Sequence, residues 1–103
     1  MLPITGRFYV HGSSPRPIVS NTEDYVVHVQ LWQIHRNESG EVENTNVYVS
    51  FDKSECSLDR GLPLPEGGTI IRFLLPPGQS LYACSDDQGR GGYIMQKAVV
   101  GRG

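Results

Sequence analysis

Apolar and polar residues alternate along much of the chain with a period of two, the signature of strands that bury one face. In "YVVHVQL" Tyr25, Val27, Val29 and Leu31 share one face, and Val26, His28 and Gln30 share the other. After Leu31 the parity slips, because Trp32 and Ile34 are apolar while Gln33 and His35 are polar. A β-bulge near Leu31 and Trp32 would produce that switch, since one extra residue moves later side chains to the opposite face. The run "NVYVSF" sets Val47, Val49 and Phe51 against Tyr48 and Ser50. Before it, the polar "RNESGEVENT" reads as a long, solvated hairpin connection. "RFYVH" near the start predicts a further strand, and no window carries apolar residues at helical spacing for three turns.

The second half is punctuated at short intervals. "SLDRGLPLPEGG" is turn chemistry in which Pro63 and Pro65 cannot donate to a ladder, so a central strand is excluded there. "TIIRFLL", "SLYAC" and "YIMQKAVV" follow, joined by Pro76-Pro77-Gly78 and by the polar "SDDQGRGG", and they read as a meander of three strands. "LPEGGTIIRF" and "LPPGQSLYAC" repeat one form, Leu-Pro-x-Gly and then a strand. Proline fixes φ at the second turn position, and glycine accepts the positive φ of a type II corner. The "GRGG" of residues 89–92 lacks Walker spacing and a following helix, so it is expected as a hairpin tip rather than a phosphate loop. Together the patterns predict an all-β chain: a single antiparallel β-sandwich, Ig-like or jelly-roll-like, of about 6–8 strands.

Length and composition narrow the class. The 103 residues suit one domain. We expect the sandwich over residues 7–103, preceded by an N-terminal arm of residues 1–6. In that arm Leu2, Pro3 and Ile4 are apolar, and they would gain most if laid on a neighbouring molecule. A formal charge of −2 offers no basic field for a phosphate backbone, which argues against nucleic acid as a partner. No apolar run is long enough to cross a bilayer, so no membrane association is expected, and "MLPITGRFYVHG" has neither a basic n-region nor an h-region. A soluble protein made in a cytoplasm is expected, with Cys56 and Cys84 as reduced, partly buried thiols rather than a disulfide.

Residues that could carry chemistry do not form a set. His11, His28 and His35 lack partners at metal-ligand spacing. Cys84 has no adjacent helix N-terminus to lower its pKa, and it reads as a buried filler. Asp86 and Asp87 are adjacent acids that more simply begin a turn than bind a cation. No catalytic residue, cofactor or metal is therefore expected, and the chain is read as non-enzymatic. Trp32, Tyr48, Tyr82 and Tyr93 could form a platform for sugar rings, but packing within the core or on a partner is the commoner use of such residues.

The order of "TNVYVSFD", a Gly-Leu-Pro-Leu-Pro-x-Gly-Gly corner, "TIIRFLL" and "PPGQSLYA" resembles that of small β-sandwich virion proteins of tailed bacteriophages, over roughly residues 45–100. The resemblance implies a structural role in a virion assembled in the host cytoplasm. The first expectation is a capsid decoration or cement protein bound to the major capsid protein or other virion subunits, as a homo-oligomer with a trimer favoured. Leu2, Pro3, Ile4, Trp32, Tyr48 and Tyr82 are the candidate interface residues. The alternatives are a carbohydrate- or receptor-binding β-sandwich module, or a tail or head-to-tail connector component.

Overall fold

A computed structural model describes residues 3–35, 39–41, 45–65 and 68–99. Among these residues eight strands follow one another: β1 (Ile4–His11), β2 (Arg16–Ser20), β3 (Val27–Ile34), β4 (Val47–Ser50), β5 (Leu62–Pro63), β6 (Ile71–Leu75), β7 (Ser80–Ser85) and β8 (Gln88–Lys97), with a 3₁₀ turn, Lys53–Glu55, between β4 and β5. They form two four-stranded antiparallel sheets, ordered β1-β8-β3-β6 and β2-β7-β4-β5. The fold is thus the expected antiparallel sandwich.

The pairing has a nested plan. β1 pairs with β8, β2 with β7, β3 with β6 and β4 with β5. This is a long hairpin wrapped on itself, and of the two expected architectures it is the eight-stranded jelly roll. β8 is central to its sheet, flanked by β1 and β3, and β7 lies between β2 and β4.

The alternation seen in the sequence places the core. Val10, Val27, Val29, Leu31 and Leu75 of the first sheet face Val19, Val47, Val49, Leu81 and Ala83 of the second, all buried. Each inward residue removes its side chain from water, roughly 1.5–3 kcal/mol for a fully buried Leu or Val before conformational entropy opposes it. The Pro76-Pro77-Gly78 corner is a type II turn, as its sequence predicts: the Gln79 amide donates to the Pro76 carbonyl at 3.2 Å, and Gly78 has φ of 78°.

Four local expectations are overturned. β3 has no bulge at Leu31 and Trp32, because its register with β8 runs unbroken from Val27–Lys97 to Ile34–Arg90. Polar Gln33 takes the inward position, where its amide donates to the Thr45 carbonyl at 2.6 Å, while apolar Trp32 and Ile34 face outward. The register shift of the fold lies in β2, between Pro17 and Val19. The connection from β3 to β4 is no hairpin, since it crosses from one sheet to the other. For the same reason β6, β7 and β8 are not a meander: they alternate between the sheets. Period-two patterning shows which face of a strand is buried but not which strand lies beside it.

The fourth correction concerns the glycines of residues 89–92, which lie within β8 and not at a hairpin tip. They are small because neighbours fill the space that side chains would need. A Cβ on Gly91 would run into the Phe8 ring and the Trp32 carbonyl, and one on Gly89 would meet the Val47 methyl.

Candidate functional site

Register and parity define what the outer face of the first sheet displays. With Phe8 and Val10 pointing inward, β1 turns Thr5, Arg7, Tyr9 and His11 outward. β8 contributes Arg90, Gly92, Ile94 and Gln96 to the same face, β3 contributes His28, Gln30, Trp32 and Ile34, and β6 contributes Arg72 and Leu74. A sandwich sheet normally shows water a polar outer face. This one carries a Trp, a Tyr, two Ile and a Leu, with Leu74 62% exposed and Tyr9 49% exposed.

Trp32 owes its place to Gly92. The two are cross-strand partners, and a Cβ on Gly92 would come within 2.5 Å of the indole Cζ2 and 2.6 Å of Cε2. The indole therefore lies over the bare backbone of β8, and any side chain at residue 92 would lift it off the sheet. Beside it the Arg90 guanidinium stacks on Tyr9, with Cζ 5.3 Å from the ring centroid, a cation–π contact across a β1–β8 pair.

Two hollows open on this face. The larger, about 580 Å³, is lined by Arg7, Tyr9, Ile34, Ser39 and Arg90 among others. Its neighbour of about 320 Å³ shares Arg7 and Ile34 and extends over Trp32 and Ile94. A third hollow of about 410 Å³ lies at the far end, between His28, Leu74 and Gln96. Arginines, aromatic rings and a hydroxyl line the first two, so this surface is equipped to hold anionic and apolar groups. Among the described residues, no carboxylate, histidine or cysteine lines the 580 Å³ hollow, and no cluster of His, Cys, Asp and Glu could hold a metal ion.

The charges are segregated. The strands hold Arg7, Arg16, Arg72, Arg90 and Lys97 but no Asp or Glu. Described carboxylates, such as Glu23, Asp24, Asp52, Glu55, Asp86 and Asp87, all lie in connections. Asp86 shows their structural use: it accepts from the Asn46 backbone amide at 2.9 Å and from its side-chain amide at 3.1 Å. Those bonds, the backbone one first, hold its carboxyl below the usual carboxylate range.

The residues singled out in the sequence are divided between two surfaces. Trp32 is on the outer face just described. Tyr48 and Tyr82 are half-buried on the outer face of the second sheet, and Tyr93 packs against the core with its ring over Gly6. The four aromatics thus do not make one platform. Tyr48 lies beside Cys56, whose Sγ is 3.7 Å from the Tyr48 carbonyl oxygen, and Cys84 is the cross-strand partner of Tyr48. Both cysteines are free and buried. Ile4 opens β1 opposite Met95, so Ile4, Thr5 and Gly6, expected in the arm, are strand residues; Pro3 is exposed, and Leu2 lies outside the described residues. Sequence reasoning missed Tyr9, Arg7, Arg90, Ile34 and Gly92. Their only signal was the alternation within β1 and β8, which could be used once the two were known to pair.

No protein-family model matches the chain, and no curated protein or solved structure shows significant similarity to it.

Proposed function

We propose that this protein is a non-enzymatic structural component of a tailed-bacteriophage virion, a decoration or cement protein that binds capsid subunits. One observation carries the reading: the outer face of the first sheet has the composition of a protein interface. Trp, Tyr and Arg are the residues enriched at the energetic centres of interfaces, and Asp, Glu and Lys are depleted there. Trp32, Tyr9, Arg7, Arg72 and Arg90 meet the first condition, and the absence of strand carboxylates meets the second.

The size is adequate. Four strands about 4.8 Å apart, averaging about eight residues at about 3.3 Å per residue, span a plane of roughly 500 Å². With side-chain relief the accessible area approaches the ~800 Å² that each partner gives to a standard interface. Covering Leu74 alone would contribute roughly 1–2 kcal/mol.

The test is co-sedimentation of the purified protein with isolated tailed-phage heads and, separately, tails. Stoichiometric pelleting with heads supports decoration, and pelleting with tails alone moves the role to a tail or connector. Absence from both pellets removes the virion reading. The carbohydrate alternative keeps one specific support, the Trp32 indole laid flat on the sheet, and a glycan array without signal removes it.

A further inference from the structure

We infer that the outer face of the first sheet docks on a carboxylate-rich protein surface. The inference deepens the reading above and rests on its docking face. Three features set the partner's chemistry. First, Arg7, Arg90 and Arg72 all project on this face, Arg72 from the edge strand opposite that of Arg7, and none of the four strands carries an Asp or Glu. This occurs in a chain whose acids outnumber its bases, 11 to 9, so the cationic face runs against the overall charge. Second, all three cations are arginines, whose planar fork engages a carboxylate through two parallel hydrogen bonds; lysine lacks that geometry. Arg7 and Arg72 are exposed. Third, the arginines are interleaved with Trp32, Ile34, Tyr9 and Leu74, which supply apolar anchors between charged contacts.

Other occupants fit less well. A nucleic acid would draw on three arginines only, and it would meet carboxylates in the connections at the ends of the sandwich. A second copy docked face to face would set arginine against arginine, which like-charge repulsion disfavours.

Trp32 is the chain's one tryptophan, so its fluorescence reports on this face directly. The experiment titrates the full-length protein with a short oligoglutamate peptide, and with oligolysine and heparin as separate arms. Oligoglutamate is expected to shift Trp32 emission saturably, with the effect lost at high salt. The double variant Arg7→Glu/Arg72→Glu should weaken the response at least tenfold, while Arg16→Glu on the other sheet leaves it unchanged. Urea unfolding of each variant verifies that the fold is retained, and Arg7→Gln/Arg72→Gln serves if charge reversal impairs folding. No response to oligoglutamate, equal weakening by Arg16→Glu, or a response to heparin alone would overturn the inference. Repeating the co-sedimentation with the double variant separates the two readings. Undiminished pelleting with heads overturns this face and leaves the virion role standing. A Trp32 response without any pelleting supports the partner chemistry and removes the virion role.

Discussion

Asn21 shows how much of the fold one polar side chain can hold. It is 2% exposed, and its side-chain amide donates to the Tyr25 carbonyl at 2.8 Å and to the Leu75 carbonyl at 2.9 Å. Its Oδ1 accepts from the Glu23 amide at 2.8 Å, and its backbone bonds to Gln79 and Gly78 across the β6–β7 corner. The residue ties the β2–β3 connection to that corner and to the end of β6. Asn21→Ala is expected to cost roughly 2–4 kcal/mol, because three hydrogen bonds are lost and buried groups are left unpaired. A urea midpoint within error of the wild type would contradict it. Gly91 has a steric role: alanine there must displace the Phe8 ring or the backbone of β3. Overpacking of that kind typically costs about 1–3 kcal/mol, and since one obstacle is a main-chain carbonyl the upper end is expected for Gly91→Ala in the same assay.

Elements show what could and could not be read from sequence. Strands with clean alternation, β1, β4, β7 and the first half of β3, were legible because burial of one face leaves a period of two. β2 and β5 were not, since "RPIVS" carries a proline and a register shift and β5 is only Leu62–Pro63. The start of β8 was hidden because Gly89, Gly91 and Gly92 look like a turn, although here they make room for neighbouring side chains. Of the candidate site, Trp32 was singled out as an aromatic, but its break in the apolar pattern reads in the sequence as a bulge, whereas the unbroken register turns it outward. Its partners were not legible, because a face made from four strands exists only once the strand order is known.

Residues 57–61, the later part of the segment between β4 and β5, were likewise read as turn chemistry; the segment folds over the second sheet and buries Cys56, which the sequence reading expected to be partly buried. Burial, and then the neighbouring Cys84, push the Cys56 thiol up to about 12; burial also raises that of Cys84. A raised thiol pKa means that the folded state keeps its proton after the unfolded chain has lost it. Stability is therefore full below about pH 8 and should fall as pH rises from the free-thiol value of about 8.5 toward 12. Both thiols should resist a thiol-specific reagent at pH 8 in the native protein and react in urea. Rapid native labelling of either would contradict the burial, and Cys56→Ala should flatten the alkaline loss of stability.

At the scale of the whole molecule the nested pairing imposes an order on folding. Val49 meets Leu62 in the innermost pair, Leu31 meets Ile71 in the next, Ser20 meets Ser80 after that, and His11 meets Gln88 in the outermost. Each outer pair closes a longer loop, but an inner pair already formed brings the outer strands close, so the loop left to close is short and its entropy small. Contacts so dominated by sequence-distant partners place refolding in the range of milliseconds to seconds. The inside-out route also predicts where the transition state is structured. Val49 and Val10 are both buried valines, 1% and 0% exposed, so truncating either to alanine should destabilise by a comparable amount, about 2 kcal/mol, enough for a reliable kinetic comparison. Val49→Ala should act mainly by slowing folding, whereas Val10→Ala in β1 should act mainly by speeding unfolding. If stopped-flow measurements find the reverse, closure of β1 on β8 precedes the inner pairs and the jelly roll assembles from its ends.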